Sequence, residues 1–99
     1  PARAAVRARL IDEANNRAYD LAAARVIIGR ESKNDIPVHD INASRTHAEL
    51  RLDPQGVWVL TDLGSTNGTF VNGREIASHP LSEGDRITIG MTNFVFTQA

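Results

Sequence analysis

The sequence predicts an all-β domain, a sandwich of two twisted sheets made from many short strands. Three features carry that expectation: apolar and polar residues alternating with period two from Arg25 onward, turn-forming clusters at short intervals, and no long helical period after residue 20. Ninety-nine residues are enough for one such domain with a single core and too few for two.

The elements follow in order. Pro1 to Leu10 is rich in Ala and Arg, which on propensity alone allows a helix. The alternation of Val6, Ala8 and Leu10 against Arg7, Arg9 and Ile11 fits a strand equally. Residues 1–5 read as a tail or the end of a linker, which suggests a larger parent protein and puts the domain at 6–98. Asn15-Asn16 offers a turn into a second short run, Arg17 to Leu21. Arg25-Val26-Ile27-Ile28 is a β-branched strand ending at Gly29. In His47 to Leu52, period two points Ala48, Leu50 and Leu52 inward, with Glu49 and Arg51 outward. Asp53-Pro54-Gln55-Gly56 turns that strand into Val57 to Thr61, with Pro54 suited to the second position of a type I or II turn. Thr69 to Val71 and Arg74 to Ile76 make a hairpin around Asn72-Gly73, a pair that supplies the positive φ angles of a type I′ turn. Glu83-Gly84-Asp85 leads into Arg86 to Ile89, and Asn93 to Thr97 closes the domain. Trp58, Phe94 and Phe96 lie in apolar strands, as core or sheet-face residues rather than a base-stacking platform.

Composition removes several functions. The net charge is −1 with scattered basic residues, so the overall positive field of a nucleic-acid binder is missing and any anion site must be local. Cysteine is absent, which removes disulfides and thiolate chemistry. No apolar run approaches the roughly 20 residues that span a bilayer, and no signal-peptide pattern opens the chain. A soluble, cytoplasmic protein without direct membrane insertion is the expectation. His39, His47 and His79 lack metal-ligand spacing, and there is no Gly-rich phosphate loop ending in Lys-Ser/Thr, so neither a metal nor a cofactor is expected.

Three segments carry the binding chemistry: Gly29-Arg30, Ser44-Arg45-Thr46-His47, and Asp62-Leu63-Gly64-Ser65-Thr66-Asn67-Gly68-Thr69-Phe70-Val71-Asn72-Gly73. Guanidinium forks and short hydroxyl donors beside Asn-Gly turns suit a doubly charged phosphate without a metal. The pattern describes a receptor, not an enzyme. Ser44 and His47, with Asp40 or Asp62, invite comparison with a catalytic triad, but a spacing of three on an extended segment does not aim the imidazole at the hydroxyl. Gly64 to Gly68 has the outline of a nucleophile elbow, yet Thr66 holds the central place and a strand follows, so no catalytic residue is assigned.

Taken together, Gly29-Arg30, Asp35-Ile36, Ser44-Arg45-Thr46-His47, Leu63 through Gly73, Leu81-Ser82-Glu83-Gly84-Asp85 and Ile89-Gly90 resemble the forkhead-associated (FHA) domain along nearly the whole chain. The resemblance implies a sandwich of about eleven strands whose loops at one end bind phosphothreonine peptides, as in bacterial FHA modules that work with serine/threonine protein kinases. It makes a phosphothreonine-containing protein, a kinase or its substrate, the expected partner. By the same resemblance, Arg30 and the Ser44 hydroxyl contact phosphate, Thr66 adds its N–H or hydroxyl, and Asn67 holds the peptide main chain. Arg45 contacts phosphate by side chain or backbone, or raises the local potential. Gly29, His47, Ser65 and Gly68 support the loops. Lys33 and Asn34 either read flanking peptide residues or belong to a solvated loop. The rival reading is a phosphate-independent interaction or dimerisation module that uses a sheet face or strand edge.

Overall fold

A computed structural model describes residues 8–98, which form eleven strands in two sheets. The tail expected at residues 1–5, and Val6 with it, lie outside the described residues. The six-stranded sheet contains β1 (Ala8–Asp12), β2 (Arg17–Asp20), β7 (Thr69–Val71), β8 (Arg74–Ile76), β10 (Arg86–Ile89) and β11 (Thr92–Gln98), in the order β2-β1-β11-β10-β7-β8. The five-stranded sheet contains β3 (Arg25–Gly29), β4 (Ile36–Pro37), β5 (Ala48–Leu52), β6 (Trp58–Asp62) and β9 (Ser78–Pro80), in the order β4-β3-β5-β6-β9. Only the short β3–β4 pairing is parallel among these ladders.

The period-two pattern becomes the core directly. Leu10, Ile28, Leu50, Leu60, Ile87, Ile89 and Phe96 are fully buried between the sheets, joined by Trp58 and Phe94. The N-terminal hairpin is anchored on this core by Tyr19, whose ring meets Phe94 edge-on at 6.2 Å. Two positions in β5 depart from simple alternation. Leu52 shares a face with Leu50 but is 38% exposed, because it sits at the end of the strand where the sandwich runs out. Glu49 points outward yet is only 7% exposed, because Arg25 and Arg51 fold over its carboxylate at 2.6 and 3.3 Å. Arg25 and Arg51 are direct cross-strand partners, and the carboxylate between them offsets the repulsion of that pair.

The turns behave as their residues require. Asn72 and Gly73 have φ of 52° and 84°, with Val71 paired to Arg74 across them, which is the type I′ geometry. Asp53 caps its own turn by accepting from the N–H groups of Gln55 and Val57. Strand direction puts both turns at one end of the sandwich. The 38–47 and 62–68 segments, the start of the 30–35 loop and the β10–β11 turn lie at the other.

Candidate functional site

Arg30 follows β3 immediately, so its backbone is fixed by that strand's end: its N–H donates to the Ser44 carbonyl at 2.9 Å. Its side chain then turns along the next segment, where Nε donates to the Ala43 carbonyl at 3.0 Å. That bond uses one donor of the guanidinium and leaves the two terminal amino groups to face outward. Gly29 makes this approach possible. A Cβ there would stand 2.2 Å from the Arg45 carbonyl oxygen and 2.7 Å from Asn34 Nδ2, so no larger residue fits without moving the backbone.

Ser44 and Thr66 meet across the site. The Thr66 N–H donates to Ser44 Oγ at 3.0 Å, so the hydroxyl proton of Ser44 is directed to another acceptor. Of the two donors expected from Thr66, the N–H is thereby committed to Ser44, and the hydroxyl is the one left. Asn67 Nδ2 donates to the Asn42 carbonyl at 2.8 Å, while its Oδ1 accepts no hydrogen bond among the described residues. Arg45 is exposed. Among the described residues neither Arg30 nor Arg45 enters an ion pair, in contrast to Arg9, Arg25, Arg51 and Arg86. Arg30, Ser44, Arg45, Thr66 and Asn67 line one open depression, together with Ile41 and Asn42. Two unpaired guanidinium groups beside a hydroxyl donor give that depression the charge and donors of a candidate anion site in an otherwise nearly neutral protein.

His47 lies beneath it, fully buried. Its Nδ1 accepts the Ser44 N–H at 3.0 Å, so the ring proton sits on Nε2, which donates to the Gly68 carbonyl at 2.9 Å. One side chain thus ties together the two loops that line the depression. This geometry also settles the triad question: the imidazole is bonded to the backbone of Ser44 and not to its hydroxyl. Ser65 shapes the second loop, donating its hydroxyl to Asp62 Oδ1 and accepting the Gly68 N–H at 2.9 Å. Asn34 is a loop tie as well, bonded to the Glu31 and Arg45 carbonyls, and Lys33 is exposed beside Glu31 at 3.6 Å.

Two carboxylates to which the sequence assigned no contact or supporting role, Asp62 and Asp40, organise the loops of the site. Asp62 accepts from the Gly64 and Ser65 N–H groups and from the Ser65 and Thr69 hydroxyls. Burial pushes its carboxyl up, but these bonds outweigh it and hold the group below the ordinary carboxylate value. Asp40 accepts from Asn42 N–H, Met91 N–H and the Thr92 hydroxyl. There, too, desolvation raises the carboxyl and the hydrogen bonds win, leaving it lowered. The Asp-x-Asn and Asp-x-Gly-Ser spacings are the local signal that was available, since Asp accepts from N–H groups two or three residues on.

Comparison with known proteins finds relatives along most of the chain. FhaA, an FHA domain-containing protein of Mycobacterium tuberculosis, is 38% identical over 85 residues, which is 86% of this chain but 16% of FhaA. The structure of Mycobacterium tuberculosis EmbR in complex with a low-affinity phosphopeptide superposes with TM-score 0.87 at 39% identity, covering 92% of this chain and 24% of EmbR. A solved FHA domain described for its phosphothreonine-dependent interactions matches with TM-score 0.82 at 37% identity, covering 93% of this chain and 94% of that one. The FHA domain model itself matches residues 26–90, the stretch that holds every residue of the depression, and this chain belongs to the FHA domain family.

Proposed function

We propose that this chain is a phosphothreonine-dependent binding module, an adaptor for a phosphorylated protein in serine/threonine kinase signalling in the cytoplasm. The observation that carries the reading is the donor arrangement around Ser44. Its hydroxyl oxygen is occupied by the Thr66 N–H, so its proton is available to a phosphate oxygen, and the terminal amino groups of Arg30 stand on the same depression. Arg45 adds positive potential or a direct contact, and the Thr66 hydroxyl supplies a further donor. Asn67, held by Asn42 with Oδ1 left over, is placed to accept a peptide N–H and keep the ligand extended. Gly29, His47, Ser65 and Gly68 set the loops that carry these groups.

The test is calorimetry with a phosphothreonine peptide, its phosphoserine analogue and its unphosphorylated twin, near pH 7.5, where a phosphate with second pKa about 6 is mostly dianionic. The unphosphorylated peptide should not bind measurably. Phosphoserine carries the same charge, so preference for threonine must come from a fitted site for its methyl group, worth roughly 10- to 200-fold. Equal affinity for all three peptides would overturn the proposal.

A further inference from the structure

The sandwich has another concavity, on the side where β2 and β4 are the edge strands of the two sheets. β4 is only two residues long and ends at Pro37, which leaves the inner face of the other sheet less covered beyond it. Between the layers lies a cavity of about 180 Å³, lined by Asp12, Arg17, Tyr19 and Phe94 from the six-stranded sheet and by Val38 and His39 beyond β4. It shares no residue with the depression that holds Arg30, Ser44 and Asn67. Sites for cofactors and metabolites run to about 300–1,000 Å³, so this slot has room for a single side chain.

Asp12 is the anomaly in it. Period two points Asp12 to the same face of β1 as Leu10, a core residue, and leaves its carboxylate only 5% exposed. Its partners are the Asn15 N–H at 3.2 Å and the Asn15 side-chain amide at 2.9 Å, and it enters no ion pair among the described residues. Arg17 is its direct cross-strand neighbour, yet the arginine is exposed and does not take the charge. Capping the turn does not call for this burial, since Asp53 caps its own turn in the same way while half-exposed.

The other bonding capacity in the slot is also for accepting. Each Asp12 oxygen accepts one bond and keeps further lone pairs, Asn15 Oδ1 accepts nothing among the described residues, and the Thr92 hydroxyl has given its proton to Asp40. The apolar walls are Val38 and the rings of Tyr19 and Phe94, inclined at 71° to each other. A guest suited to all of these is cationic, only donates, and is flat. The guanidinium group has those properties: its fork meets a carboxylate and its plane lies on an aromatic ring. We infer that this slot takes an arginine side chain of a partner protein, at a contact that needs no phosphate and is separate from the phosphothreonine reading. Arg17 and His39, both exposed, stand at its mouth, where Arg17 opposes the guest's charge and limits its affinity.

Amide NMR of the 99-residue chain, titrated with N-acetyl-arginine methylamide, tests this. Saturable shifts should centre on Asp12, Tyr19 and Phe94 and leave the amides of Ser44, Thr66 and Asn67 in place. The citrulline analogue, a neutral isostere of arginine, should bind about tenfold more weakly, the scale of a lost charge-assisted hydrogen bond. Asp12→Asn keeps an acceptor for the Asn15 N–H, so the dispersed spectrum should persist while arginine affinity falls about tenfold. Arg17→Gln should tighten binding by taking a like charge from the mouth. Equal affinity for the arginine and citrulline probes, shifts that do not saturate or that centre on Ser44, undiminished binding in Asp12→Asn, or loosened binding in Arg17→Gln overturns the assignment. Neither probe carries phosphate, so a chain that ignores peptide phosphorylation overturns the phosphothreonine reading and leaves this result as it stands.

Discussion

The two ends of the sandwich solve the same problem, reversing the chain between strands, by opposite means. At the end away from the depression, the turns rest mainly on their own residues: Asp53 bonds the N–H groups of Gln55 and Val57, and Asn72-Gly73 supplies its own positive φ angles, with Asn72 adding bonds to the neighbouring Asp85 and Arg86. At the site end the loops close on one another. His47 links Ser44 to Gly68, Thr66 bonds Ser44, Asn67 bonds Asn42, and Asn34 bonds Arg45. Local turns can be altered singly, but mutually tied loops should fail together. That coupling fixes the donors before a ligand arrives, which lowers the ordering cost of binding.

Substitutions can break or sharpen this contrast. His47→Ala should have the largest effect, because it strands a partly buried N–H and a buried carbonyl at about 1–3 kcal/mol each and empties a fully buried position. Urea unfolding should show a loss of roughly 3–5 kcal/mol, together with lost phosphopeptide binding. Full stability with lost binding would mean that His47 acts on ligand directly. Gly29→Ala should cost about 1–3 kcal/mol through overpacking against the Arg45 carbonyl, and should weaken binding by displacing the Arg45 backbone.

Arg30→Ala and Ser44→Ala should separate affinity from stability. Each deletes a charge-assisted hydrogen bond worth about 1.5–3 kcal/mol, or roughly ten- to a hundredfold in Kd, with the circular dichroism of the fold retained; the melting temperature should stay nearly unchanged in Arg30→Ala and fall modestly in Ser44→Ala, which also removes the acceptor of the Thr66 N–H. Retained affinity in both variants would sink the site assignment.

Acid should loosen the site end. The folded Asp62 carboxyl lies below its ordinary value of 3.8, so its contribution to stability is present above that pH and is lost as pH falls through the lower folded value. Asp40 has the same sign. Melting temperature of the free chain should therefore fall below about pH 4, and less steeply in Asp62→Asn than in the unaltered chain, the comparison that isolates this group. The smallest change is expected at the far end. Asn72→Gly keeps a turn compatible with positive φ and loses only the side chain's bonds to Asp85 and Arg86, about 0.5–1 kcal/mol, with phosphopeptide affinity unaltered. Weakened binding in that variant would show that the two ends are not independent.

What could be read in advance follows the range of the interactions. Alternation, β-branching and the Asn72-Gly73 and Asp53 turns act over a few residues, so the strands and far-end turns were determined by the sequence itself. The kinds of donor that Arg30, Ser44, Arg45, Thr66 and Asn67 offer were also legible, because residue type alone names them, and the structure brings all five to one depression. Burial of Glu49 was not, since it depends on Arg25 and Arg51 arriving from a neighbouring strand and from two residues along its own. Nor was the commitment of the Thr66 N–H to Ser44, twenty-two positions away, or the joining of the 40–43 and 90–92 turns through Asp40. The sequence alone determined the strands and the kinds of donor present; tertiary structure decided which donors are spent holding the loops and which remain for a ligand, because those bonds form only after distant segments pack together.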